Sequence, residues 1–482
     1  MTRFPKILAL LAFLVAAGCR DSFPDQVPAE GIVYYPVGLA VRQLPPTTAS
    51  PAGSSQLAIV SSNFDLRYAE QTGGTVQIVD PDASQDTADG GTVSLYTNGF
   101  LRIGSFGGQV ALADLSCQPG WPSCPSACPQ LASDPVVADG GAKLLVASRS
   151  LTSLYVADMS RDGALTCDEG CVKALDLQYL DPYGVEIVCN SRGGEDRADA
   201  MFTHLAGVNG QGWLSRVGMA EGTWSPIALG VPPTYGLAYD RTQDLLYVSG
   251  VAQTFLAPLR WMNPSVTNAT SGGFEFPTYV SASTTSVVAG SVARAIGVSN
   301  DGLRLFVSLV LYDPDILLST GTLVSQGGAL AVYSIAPGGG MQPTLAVLDL
   351  VPTCAGRGDL KVLPPRPGKG DLVAMTCDQQ GVLVLYDEDL GGIARYIGLD
   401  PDTGLPLLGV LPWGIAVEPI DPARAITSPS PNGAYQPSPC VPGKACTRMY
   451  VGSFKDNWIN ILELVPDEPE TVALVKRIGR GP

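Results

Sequence analysis

The chain has 482 residues, 45% of them hydrophobic and 15% charged, enough apolar material for one large domain or several small ones. Its net charge is −16 and no Lys/Arg cluster is visible. That excludes the counterion-release chemistry by which proteins hold nucleic acid or anionic headgroups. The 55 glycines and 40 prolines are scattered between apolar runs, which predicts many short strands joined by turns.

The chain begins with two positive charges in "MTRFPK", an apolar core "ILALLAFLVAA" over residues 7–17, and Gly18-Cys19. Residues 1–18 read as a signal peptide, too short for a helix that spans about 30 Å of hydrocarbon. "VAAGC" resembles the bacterial lipobox, with Ala16 where that motif usually has Leu. The resemblance implies diacylation of Cys19, which becomes the mature N-terminus. Two or three acyl chains, at about 0.8 kcal/mol per buried CH₂, then hold the protein on a membrane. Arg20 stands where an inner-membrane retention Asp would stand, so the resemblance implies the outer membrane, on its periplasmic or surface face. The rival reading is an ordinary secretory signal with Cys19 incidental. Residues 19–35 are expected to be a tether, and 36–482 a single domain.

Next comes "LAIVSSNFDLRYAEQTGGTVQIVD", residues 57–80, two alternating apolar runs around a polar cluster. The same order recurs at intervals of about 45 to 80 residues. Pro-x-Gly-aliphatic stands at "PVGLAV" (36–41), "PYGVEI" (182–187) and "PWGIAV" (412–417), with looser copies "TYGLAY" (234–239) and "AIGVSN" (295–300). Apolar runs such as "LLYVSG", "LFVSLV" and "RMYVGSF" follow, then a third run such as "VLVLYD" or "INILEL". Segments 135–158 and 358–389 keep the order without the leading motif. A Gly after Pro marks a place where the backbone bends or approaches a neighbour closely.

This order resembles the YVTN-type β-propeller repeat. The resemblance covers roughly residues 36–479 and implies an all-β propeller, most simply of seven four-stranded blades, with six or eight also compatible. Blades are expected near 36–116, 134–175, 181–230, 232–290, 291–350, 356–400 and 410–479. Segment 84–116 either completes the first blade or starts an extra one. A pair of β-sandwiches is the competing architecture, and the recurrent Pro-x-Gly favours the propeller. Asp65 and Arg67 then fall on the link between two strands, where they pin the link or make a rim contact.

Eleven cysteines less Cys19 leave ten, an even number that predicts disulfides in an exported chain. Cys440–Cys446 and Cys167–Cys171 read as loop staples and Cys354–Cys377 as a tie within one repeat. Cys117, Cys124, Cys128 and Cys189 share two bridges of open pairing. Their spacing is not that of a structural zinc site.

Catalytic patterns are sparse. The one histidine, His204, reads as a satisfied strand residue, and multi-imidazole metal sites are thereby excluded. No haem-attachment motif, nucleophile elbow or phosphate loop occurs. The acidic loop "DPDASQDTADGG" (80–91) has Gln85 and Gly91 where an EF-hand needs Gly and Glu, so turn chemistry is expected there. Some propellers that resemble this repeat class are lactonases with a divalent ion in the central channel. That resemblance singles out Glu186 and Glu418 as metal candidates, with Ca²⁺ or Mg²⁺ as the ion. No other cofactor is expected. The six tryptophans, Trp121, Trp213, Trp224, Trp261, Trp413 and Trp458, offer either binding surface or packing between blades. The preferred reading is an envelope lipoprotein acting as a binding or scaffold module for a protein or glycan ligand on a propeller face, with no catalytic constellation evident. The alternative is a divalent-metal-dependent, lactonase-like hydrolase.

Overall fold

In the structure, a computed structural model, the described residues are 26–48, 50–87, 91–115, 127–176, 179–190, 197–207, 212–229, 233–250, 256–261, 274–275, 291–312, 325–336, 344–354, 356, 358–399, 406–427 and 435–479. The short aliphatic runs form strands buried on both faces, since β-branched and aromatic side chains pack well on a pleated surface. The first sheet holds β1 (Pro36–Leu44), β2 (Ser54–Ser61), β3 (Gly74–Asp80) and β4 (Ser94–Ile103). The second holds β5 (Gly107–Ala113), β6 (Ala142–Ser148) and β7 (Ser153–Met159), with β8 (Leu165–Thr166) and β9 (Val172–Ala174) both on β7. The third runs β10 (Pro182–Asn190), β11 (Arg197–His204), β12 (Trp213–Gly218), β13 (Trp224–Ala228). The fourth runs β14 (Thr234–Asp240), β15 (Leu245–Gly250), β16 (Leu256–Trp261), β17 (Phe274–Glu275). The fifth is β18 (Ser291–Val298), β19 (Arg304–Tyr312), β20 (Ser325–Ala336) and β21 (Thr344–Thr353). The sixth is β22 (Leu360–Val362), β23 (Leu372–Cys377), β24 (Val382–Asp387) and β25 (Gly392–Ile397). The last is β26 (Pro412–Ile420), β27 (Cys446–Ser453), β28 (Trp458–Val465) and β29 (Glu468–Ile478).

Strand order in every sheet follows chain order, with antiparallel pairing. The first strands pack in sequence, β1 on β5, then β10, β14, β18, β22 and β26, and β26 returns to β1. The expected all-β propeller is therefore observed. An apolar layer fills each gap between adjacent sheets.

Segment 84–116 divides, with β4 completing the first sheet and β5 opening the second. The second blade thus starts at Gly107 rather than near 134. "PVVA" is a helical turn, α1 (Pro135–Ala138), because Asp134 caps it by accepting from the N–H groups of Val136 and Val137 and Pro135 fits a first helical position. Residues 26–35, expected as tether, lie against the first sheet. Val33 and Tyr34 are buried, and Gln77 bridges the Gly31 N–H and the Ile32 carbonyl.

Closure needs no shared strand. Val33, Leu39, Leu57 and Ile59 meet Tyr450, Ile459, Ile461 and Val475 across the gap between last and first sheets. Among the described residues there are four disulfides: Cys167–Cys171, Cys354–Cys377 and Cys440–Cys446 as expected, and Cys128–Cys189, which joins the second blade to the third. They point to an oxidising, exported environment. Cys117 and Cys124 lie outside the described residues, as do Cys19 and Trp121. No helix among the described residues is long and apolar enough to cross a membrane.

Candidate functional site

The Pro-x-Gly strand builds the inner wall. Register slips between Pro36 and Gly38, Pro182 and Val185, and Pro412 and Ile415, and at the matching point of β5, β14 and β18. Proline lacks the ladder N–H, so a bulge is the place that tolerates it. Glycine is required because the next inner strand comes too close for a side chain. A Cβ on Gly38 would lie 2.7 Å from the Gly108 carbonyl oxygen, and one on Gly236 2.5 Å from that of Arg294.

A hydroxyl on the second strand then ties bulge to neighbour. Thr203 Oγ1 accepts from the Gly184 N–H at 2.8 Å and donates to the Tyr235 carbonyl at 3.0 Å. Ser249 does the same between Gly236 and Arg294, and Thr376 between Asp359 and Trp413. The freed N–H groups are thus satisfied inside the protein, as buried backbone requires.

In β10, β14 and β26 the residue before the Gly carries an aromatic ring at this end of the channel. Trp413 Nε1 donates to the Tyr183 hydroxyl at 2.7 Å, a bond that crosses from the last blade to the third. Tyr235 packs on Tyr183 at 5.2 Å between centroids, and the Arg294 guanidinium lies 5.2 Å from the Tyr235 ring. Tyr183 and Tyr235 are buried, and burial pushes both phenols up, Tyr183 the further. They are neutral donors over the physiological range.

Beyond this plug the channel widens to a cavity of about 220 Å³. Inner strands wall it with aliphatic side chains such as Leu39, Val110, Val185 and Val417, and Glu186, Lys361 and Arg241 add charge. Asp240, Thr242 and Asn300 stand at the end opposite the plug, where the first-to-second-strand turns lie. Burial pushes the Glu186 carboxyl above the usual range, against the pull of the Ile187 N–H, Lys361 and Arg241. The Lys361 ammonium is 3.6 Å from Asp359, and an Arg241 N–H donates to the Ala127 carbonyl at 2.5 Å.

Of the two metal candidates, Glu186 faces the cavity. Glu418 is buried away from it, in the seam between last and first blades. There it accepts from the Tyr450 hydroxyl and the Ser55 hydroxyl, each at 2.6 Å, with Arg424 at 3.8 Å. A calcium ion takes six to eight oxygen ligands, and magnesium six. The cavity offers Glu186 beside two cationic side chains. Its other carboxylate, Asp240, accepts from the N–H groups of Thr242 and Gln243 and the Thr242 hydroxyl. The residues present do not fit a divalent ion, and no group of three His, Cys, Asp or Glu able to hold one occurs among the described residues.

The remaining sequence candidates have structural partners. His204 is fully buried, and its Nδ1 lies 3.2 Å from the Leu180 carbonyl, an acceptor, so Nδ1 carries the proton. Nε2 accepts from Ser215 Oγ at 2.9 Å, and Ser215 accepts from Trp224. Burial lowers the imidazole pKa to about 4. Asp65 pairs with Arg67 at 2.5 Å and accepts from the Tyr35 hydroxyl, pinning its loop at the rim. Asp80 caps its own turn as expected, accepting from Asp82 and Ala83. Trp213 and Trp224 pack on Tyr179, and Arg477 covers Trp458.

Sequence reasoning missed Asp82. It reaches across the seam to Arg448 at 2.5 Å and Arg424 at 2.7 Å, and Arg448 in turn holds Glu463 at 2.7 Å. Burial opposes ionisation of Asp82, but Arg448 and Arg424 outweigh it and hold the carboxyl below the usual range.

No protein-family model matches the chain, and no curated protein matches it. Among solved structures it is similar to Chaetomium thermophilum Sqt1 bound to the N-terminus of ribosomal protein L10, at 11% identity over 93% of this chain and 89% of that one, TM-score 0.48. It is also similar to the WD40 domain of Toxoplasma gondii coronin (8% identity, 94% and 90% covered, TM-score 0.46). A third is the β-propeller domain of Myceliophteria thermophila Cps50 (11% identity, 91% and 98% covered, TM-score 0.44).

Proposed function

We propose that the protein is an exported β-propeller, lipid-anchored through Cys19 in the bacterial envelope, that serves as a binding module. Its ligand, a small molecule or the end of a peptide or glycan, enters the channel from the mouth opposite the aromatic plug. The carrying observation is the asymmetry of that channel: Tyr183 and Trp413 cross one end, while the aliphatic cavity with Glu186, Lys361 and Arg241 opens at the other. An apolar wall with a few convergent polar groups is the usual make-up of a ligand site. The lipobox-like "VAAGC" and the four disulfides support the address. The YVTN-like order of the strands supports the repeat class. The hydrolase alternative keeps one supporting observation, Glu186 in the cavity, and lacks the ligand set for its ion.

The test is a thermal-shift screen of small metabolites, short peptides and oligosaccharides against the wild type and Ala40→Trp, which fills the cavity from β1. Ligands that stabilise the wild type and not the filled variant support the reading. A screen whose hits stabilise both equally refutes it.

A further inference from the structure

The loops on the plugged end carry apolar side chains that no blade covers. Phe64 is 58% exposed, Leu66 45%, Val410 41% and Leu151 36%. They come from second-to-third-strand loops of the first two blades and from the link into the last blade, so they share one end of the propeller. Phe64 is also the hub of a ring cluster, 5.2 Å from Phe454 and 6.1 Å from Phe106. Soluble surfaces scatter such residues singly, and a grouped set marks a contact surface.

The N-terminal segment identifies what covers it. Gln26 lies on this same loop, its carbonyl accepting from the Ala69 N–H at 3.0 Å. Gln26 is seven positions from Cys19, at most about 25 Å of extended chain. A lipid on Cys19 therefore holds the bilayer within one short tether of Phe64 and Leu66. Tethering turns a weak contact into an intramolecular one. Aromatic rings beside an arginine, here Arg67, suit the headgroup level of a bilayer, where an apolar body and a polar tip are both solvated.

We infer that this end of the propeller docks on the lipid surface, with Phe64 and Leu66 at the interface, and that the open channel mouth faces away from the membrane. The inference rests on the lipid-anchor reading.

Hydroxyl-radical footprinting tests it on the mature protein reconstituted in vesicles of phosphatidylcholine and phosphatidylethanolamine, which are neutral and do not repel an acidic chain. The reference is Cys19→Ala in solution with the same vesicles. Intact mass reads acylation in the same samples. Leu303 and Leu390 are exposed on turns at the opposite end and serve as internal controls. The expected result is an acylated protein in which oxidation of Phe64, Leu66 and Phe454 falls several-fold while Leu303 and Leu390 react as in the reference. The variant Phe64→Ser/Leu66→Ser, acylated and unchanged in unfolding midpoint, restores oxidation of Phe454. Acylated protein with unprotected Phe64 and Leu66, or with Leu303 and Leu390 protected instead, overturns the docking and leaves the anchor standing. Unacylated protein overturns the anchor and the docking together.

Discussion

Arg448 is the side chain on which the closing seam turns. It is fully buried, donates to Glu463 from Nε at 2.8 Å with Nη2 2.7 Å from the same carboxylate, reaches Asp82 of the first blade at 2.5 Å, and donates from Nη2 to the Arg424 carbonyl at 2.7 Å. Arg448→Met keeps much of the bulk and removes the charge. Glu463, itself fully buried, is left as an uncompensated carboxylate, and Asp82 keeps only Arg424. Breaking a buried pair in this way costs about 3–5 kcal/mol. Equilibrium urea unfolding should show a lower midpoint at unchanged slope, the sign of lost stability rather than altered compactness. Adding Glu463→Gln and Asp82→Asn removes the stranded charges and should recover much of the loss. The Arg448/Asp82 cycle, between last and first blades, should give a coupling of roughly 0.5–3 kcal/mol. A wild-type midpoint for Arg448→Met, or a loss that the acid replacements leave unchanged, would refute the claim that these charges hold the seam.

Three further outcomes follow from the same geometry. His204 has its pKa depressed from 6.5 to about 4, so between those values the unfolded chain takes up a proton that the folded one does not. Stability must therefore fall as pH drops through that window, by about 3 kcal/mol in all at 1.36 kcal/mol per unit. His204→Asn should flatten the pH dependence there, and a wild-type slope in the variant would contradict it. Cys128 and Cys189 close a span of 61 residues, so the double serine variant should lose about 4 kcal/mol by loop entropy. A midpoint unchanged from wild type would show that the bridge constrains little. Cys19→Ala should leave the protein unlipidated and released from membranes on fractionation, whereas retention at unchanged mass would rule out the lipobox.

The fold was legible because its rules are local. Pro followed by Gly at the head of a strand anticipates a bulge pressed against a neighbour, and the structure places one at each such motif. The "PVVA" turn was legible too, since Asp134 before Pro135 is a helix start, but segment 135–158 was read only as a copy of the repeat. The site was half legible. Glu186 and Glu418 follow the same motif, yet Glu418 lies two positions further along its strand, level with Val188 rather than Glu186. There Ser55, Tyr450 and Arg424 enclose it, and no local pattern says which residue from the far end of the chain will arrive. Asp82 itself reads as part of an ordinary turn, and its role depends on Arg448, 366 positions away. Of the plug residues Trp413 was singled out from its place in "PWGIAV", while Tyr183 and Tyr235, which hold the same position just before the motif's Gly, were not.

The central claim is that the open channel holds a ligand. Native mass spectrometry of the protein extracted from its own envelope tests it most directly. The account predicts a stoichiometric bound species on the wild type that is missing from Ala40→Trp prepared in the same way. A wild-type chain that carries nothing, or a species retained equally by the filled variant, would contradict it.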